Sequence, residues 1–159
     1  MLAIRWIEMC GGKSTQEMAK FELNPGRQVS AEAVVGLESH VWQARYGLLI
    51  DTDKTPLVRA YADDINSWVI DGKIIPDELC TNVDYVDTWS EVEGMVKDYE
   101  CNHTVPECVV EKPAYKTVIV VGHRKHENNT MEKAVELARI MDLPLYIMET
   151  LYVPNSKDE

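Results

Sequence analysis

The stretch Thr117-Val118-Ile119-Val120-Val121 constrains this chain more than any other. Five β-branched residues in a row resist helix formation and suit a strand buried on both faces. Gly122 ends the run. A polar loop, His123 to Thr130, follows, and then Met131, Ala134, Val135, Ala138 and Met141 recur at helical spacing. Asn129 can cap that helix, with Glu132 three residues on in the pattern of a capping box. Leu143-Pro144 stops it, and Leu145 to Val153 reads as a returning strand. The sequence therefore predicts a β-α-β unit with parallel strands and a right-handed crossover.

Upstream, Leu2 to Met9 is apolar enough for a first strand, and Gly11-Gly12 turns the chain. Thr15 to Leu23 is then either the return arm of a hairpin or a helix, stopped by Asn24-Pro25-Gly26. Ser30 to Arg45 reads as a helix: Ser30 caps it, Glu32 sits in its first turn, and Val34, Leu37, Val41 and Ala44 share a face edged by His40. Tyr46 to Ile50 is a short strand. Thr55-Pro56 reads as the start of a second helix, with Leu57, Tyr61, Ile65 and Trp68 at helical spacing and the helix taken to about Asn66. The rival reading makes Leu57 to Ala62 a strand. Trp68 to Ile75 carries Asp71-Gly72 between two apolar runs, the mark of a tight β-hairpin. Glu91 to Val96 leans helical, capped by Thr88 or Ser90, and Asn102 to Pro113, with two prolines, reads as a loop. Together these predict one α/β domain over residues 1–153 and a polar tail over 154–159. Its sheet is mixed, with the C-terminal parallel unit and the mid-chain hairpin as its clearest parts.

An apolar fraction of 45% suits a packed core, and no apolar run approaches the ~20 residues that span a bilayer. Met1 to Glu8 carries no basic leader or small-residue cleavage site, so the sequence predicts a soluble, cytoplasmic protein. The net charge of −11 is not spread evenly. Between Tyr61 and Glu111 there are thirteen acids and two bases, Lys73 and Lys97; each flanking third is neutral. Such a segment repels nucleic acid and anionic membranes and attracts basic surfaces. Its competing role is a solvated face that keeps the chain soluble. Aromatic residues interleave the acids, and aromatics anchor interfaces. The first functional expectation follows. Asp84, Tyr85, Asp87, Trp89, Glu91 and Glu93 dock on a basic partner protein, as an inhibitor or a nucleic-acid mimic, without catalysis.

A second expectation comes from the polar loop. In open α/β sheets, ligands bind beyond the carboxyl ends of parallel strands. His123, Arg124 and His126, with Thr130 at the start of a helix, would hold a nucleotide or phosphate there. The apolar strand ending in Asp51-Thr52-Asp53-Lys54-Thr55 resembles the first motif of the haloacid-dehalogenase-type phosphatases over about ten residues. That resemblance implies Asp51 as nucleophile, Asp53 as general acid/base, and Mg²⁺ held by both. Three departures stand beside it. The motif lies 50 residues into the chain, Gly122-His123 occupies the place of the second motif's Ser or Thr, and no later strand ends in an acidic pair. Lys125 or Lys133 would stand for the family's lysine.

Cys10-Gly11-Gly12-Lys13-Ser14 resembles the end of a phosphate-binding P-loop, but Ile7 stands where that motif needs its first glycine. Cys101, His103 and Cys108 are donors suited to a tetrahedral Zn²⁺ site, although their spacing matches no standard finger or ribbon. Beyond possible Mg²⁺ or Zn²⁺, the sequence implies no cofactor. It contains no Ser-His-Asp order, HExxH helix or GxSxG elbow, and it does not decide between enzyme and binding protein.

Overall fold

The computed structural model of the chain describes residues 1–7, 13–36, 45–63, 65–78, 83–98, 106–122 and 130–149. In chain order the elements are β1 (Leu2–Trp6), α1 (Thr15–Leu23), β2 (Val29–Val34), β3 (Arg45–Ile50), β4 (Leu57–Tyr61), β5 (Ser67–Ile70), β6 (Lys73–Pro76), β7 (Tyr85–Val86), α2 (Trp89–Asp98), β8 (Glu107–Val110), β9 (Tyr115–Gly122), α3 (Thr130–Met141) and β10 (Leu145–Glu149). Eight strands form one mixed sheet in the order β10-β9-β3-β1-β2-β8-β4-β7, and β5 and β6 form a separate hairpin.

The β-branched run is β9, and its neighbour β10 lies parallel to it, as the β-α-β pattern predicts. Val118, Ile119, Val120 and Val121 are all buried. Side chains alternate across a strand. Val118 and Val120 therefore meet α1 and α3 through Met18, Ala19, Ala134, Leu137 and Met141, while Ile119 and Val121 pack on the other face with Ile4 and Val34. The stripe read from α3 needs one change. Val135 is exposed, and Leu137 takes its place in the core.

Three expectations are corrected. Ser30 to Arg45 is not a helix: residues 29–34 are β2, and β3 begins at Arg45. Val29, Ala31 and Ala33 are buried while Ser30 and Glu32 between them are half-buried, a period of two rather than 3.6. Glu32 accepts a hydrogen bond from Trp6 Nε1 at 2.9 Å, so this polar residue has a partner on the sheet's second face. Leu37, His40, Val41 and Ala44 lie outside the described residues.

Leu57 to Tyr61 is likewise a strand, paired with β8 on one side and β7 on the other. Thr55 caps no helix. Its hydroxyl accepts from Ala114 N at 2.9 Å and joins the β3–β4 connection to the segment entering β9. Finally, the two-proline segment contains β8. Pro106 immediately precedes the strand and Pro113 follows it, positions at which proline removes no ladder hydrogen bond.

Elsewhere local signals and structure agree. Thr15 to Leu23 resolves to the helix α1, with Ser14 Oγ accepting from Glu17 N at 3.2 Å. Asp71 and Gly72 both adopt positive φ, 51° and 77°, as a tight hairpin turn requires. Gly47 admits no side chain, because a Cβ there would lie 2.7 Å from Arg5 O.

Candidate functional site

The β5–β6 hairpin organises the functional geometry. Its base lies where β4 ends and β7 begins. Asp77 N donates to Asn66 O at 2.9 Å, and Ala62 N donates to Asp84 O at 2.8 Å. These two bonds tie the residues that leave β4 to those that lead toward β7. They collect Asp63, Asp77, Glu78 and Asp84 at one corner of the molecule. Asp87 follows β7, and Glu91 occupies the first turn of α2. All of these except the half-buried Asp77 are exposed. Asp84 and Asp87 make no ion pair with any described residue.

The helical lean of Glu91 to Val96 falls within α2, and of the two caps the sequence offers, Thr88 and Ser90, the helix uses Thr88. Thr88 Oγ1 accepts from Glu91 N at 3.2 Å and donates to Glu91 Oε1 at 2.7 Å. Val92 and Val96 enter the core with Ala33, Ala60 and Cys108. At 100° per residue, Glu91 and Glu93 leave the helix on opposite flanks, so the acids that run from the hairpin base along β7 to α2 form a rim rather than a flat face. Tyr85 is the rim's aromatic, half exposed, with the Arg59 guanidinium 4.0 Å from its ring centroid and the Tyr61 ring edge-on at 6.3 Å. Trp89 turns inward instead. Its Nε1 donates to Thr55 O at 2.9 Å and its ring packs beside Leu57.

The tip of the same hairpin lies at the other end of β4 and β8, where Leu57 pairs with Val110. Gln28, buried at 7% exposure, fastens it. Gln28 N donates to Gly72 O at 2.7 Å, Gln28 Oε1 accepts from Ile74 N at 2.8 Å, and Gln28 Nε2 donates to Glu111 Oε1 at 3.0 Å. A cavity of about 510 Å³ lies here, lined by residues 23–28, 71–73 and 111–113. Sequence reasoning missed it, because its walls come from three segments with no shared motif. Behind it, Arg5 Nε meets Glu22 Oε2 at 2.6 Å, and Tyr115 donates its hydroxyl to the same oxygen at 2.8 Å. Burial, aided by the Glu22 carboxylate, lifts the Tyr115 hydroxyl well above its ordinary pKa.

Asp51 and Gly122, the last described residue before His123, lie at opposite ends of the sheet. β3 runs antiparallel to β9, with Ile50 beside Tyr115 and Arg45 beside Val121. Asp51 therefore leaves the sheet where β9 enters, and Gly122 leaves at the opposite end, on the order of 20 Å away. Asp51 Oδ1 accepts from Asp53 N at 3.1 Å, which closes a local turn. His123, Arg124 and His126 lie outside the described residues, and Thr130 is buried at the start of α3.

Cys108 faces the apolar core. Burial, then the neighbouring Glu107 charge, pushes its thiol up to about 12. Cys101 and His103 lie outside the described residues, and among those described no three His, Cys, Asp or Glu groups are placed to hold a metal ion. No described helix is long and apolar enough to cross a membrane. Comparison with protein-family models, with curated proteins and with solved structures found no match.

Proposed function

We propose that this protein works by docking its acidic rim on a basic surface of a partner protein. One observation carries the reading: the Asp77 N–Asn66 O and Ala62 N–Asp84 O bonds gather Asp63, Asp77, Glu78 and Asp84 at the hairpin base, and Asp87 and Glu91 continue the acids along β7 into α2. Arg59, stacked on Tyr85, is the cation that accompanies them. Clustered carboxylates speed encounter with a basic surface and fix its orientation, and the half-exposed Tyr85 supplies an aromatic anchor. β7, at the end of the sheet, pairs with β4 alone among the described strands. A surface of this charge suits a protein that blocks a nucleic-acid-binding site by occupying it. The Asp51/Asp53 phosphohydrolase reading has less support, because Asp51 and Gly122 leave opposite ends of the sheet.

Capture from the native host by the full chain tests the proposal when paired with variants. The expected partner is basic and is released by rising salt. It is lost with the triple variant Asp84→Asn/Asp87→Asn/Glu91→Gln and kept with Glu17→Gln/Glu132→Gln, which removes charge from α1 and α3. A captured protein that ignores both salt and the triple variant contradicts the reading.

A further inference from the structure

We propose that the cavity at the hairpin tip binds a small phosphate-bearing molecule through Arg27, Lys73 and Lys112. The three cations come from three segments far apart in sequence: the α1–β2 turn, the hairpin tip and the β8–β9 connection. None makes an ion pair with a described residue. Lys73 is one of just two bases between Tyr61 and Glu111, and it lies here rather than among the acids. Like charges held together repel, and an anion between them turns that repulsion into attraction.

The walls are fixed before any ligand arrives. Gln28 bonds to the hairpin tip and to Glu111, so two of the cation-bearing segments are anchored on the third. Gly26, Asp71, Gly72 and Lys112 all take positive φ, which sets the turns that present the side chains. The Arg27 guanidinium lies 5.3 Å from the Phe21 ring centroid, a contact that limits its freedom. A volume of about 510 Å³ is that of a small-molecule site.

Three cations suit the dianionic charge of a phosphomonoester better than a single carboxylate. Two acids also line the cavity. Glu111 Oε1 is already occupied by Gln28, whereas Asp71 can accept from a ligand hydroxyl. The ligand class is therefore a hydroxylated phosphate ester. This site is separate from the acidic rim and stands or falls without it.

Calorimetric titration of the full chain with inorganic phosphate, ribose 5-phosphate and ribose tests the proposal. Ribose 5-phosphate is expected to bind saturably at one site, and ribose not at all. Inorganic phosphate binding as tightly as the ester also supports the site and confines recognition to the phosphate group. Arg27→Gln, Lys73→Gln and Lys112→Asn should each weaken binding about tenfold. Asparagine tolerates the φ of 43° at position 112, so that variant keeps its turn. Arg139→Gln, exposed on α3, removes the same charge and should leave the affinity unchanged. Absence of saturable phosphate binding, equal binding of ribose, or an equal loss with Arg139→Gln overturns the proposal.

Discussion

The two ends of the β5–β6 hairpin carry opposite chemistry. At its base, Asp63, Glu78 and Asp84 are exposed to solvent beside the half-buried Asp77. At its tip, three cations face a concavity whose walls are fastened by one buried glutamine. Four-residue strands, roughly 13 Å of chain, separate them. Exposed charge suits a protein surface, since a large partner can approach it from outside. Concave charge suits a small ligand, which can be surrounded. The two proposed recognition surfaces thus lie at opposite ends of one hairpin and differ in sign, within a chain whose net charge reports just one of them.

The largest expected effect separates cations that are structural from cations that are available. Arg5 lies beside the cavity region, yet Glu22, 2% exposed, already neutralises it. Arg5→Met leaves a buried carboxylate without its partner and should cost about 3–5 kcal/mol in urea unfolding. Adding Glu22→Leu should restore most of that loss. Phosphate affinity should stay within about twofold for the double variant, because the pair carries no net charge. A loss as large as that of Arg27→Gln breaks the distinction.

Gln28→Leu comes next. It removes two side-chain hydrogen bonds and strands the Ile74 amide, at a cost of about 2–3 kcal/mol. Hydrogen exchange should quicken at Ile74 and stay slow at Ala62, whose amide is bound to Asp84 at the hairpin base. Equal quickening at both amides means that the hairpin opens as one unit and its ends are not independent.

A smaller effect depends on pH. Cys108 lies beside Glu107 at the acidic end of β8, and its thiol is pushed from 9.0 to about 12 by burial and that charge. The folded chain therefore keeps a proton that the unfolded chain releases. This contribution to stability is complete below pH 9 and declines as pH rises toward 12, by up to about 1.4 kcal/mol per unit. Cys108→Ala should flatten the curve between pH 9 and 10, leaving the decline above pH 10 that the raised Tyr115 hydroxyl produces. An unchanged slope in that variant assigns the effect elsewhere.

The acidic end was largely legible in the sequence, because its carboxylates are near neighbours along the chain and charge needs no tertiary context to be counted. Trp89 is the exception. Its indole N–H bonds Thr55 O, 34 residues away, and that draws it from the rim into the core. The cationic end was not legible. Arg27, Lys73 and Lys112 have no common spacing, and β2, β8 and Gln28 must be in place before they converge. The same limit explains the strands read as helix or loop. Ala31, Glu32 and Ala33 favour a helix in isolation, but pairing to β1 and β8 outweighs that preference, and β8 hides between two prolines. The β-branched run of β9 needed no such help, since both faces of that strand are buried and its composition says so.

The central claim is that charge at the rim, rather than shape alone, drives docking. The most direct test compares the affinity of the captured partner for Arg59→Gln and for Asp84→Asn/Asp87→Asn at low and at physiological salt. The account predicts opposite signs: tighter binding when the rim loses its cation, weaker binding by roughly tenfold when it loses two acids, with both differences shrinking as salt rises. Changes of the same sign, or changes indifferent to salt, would contradict it.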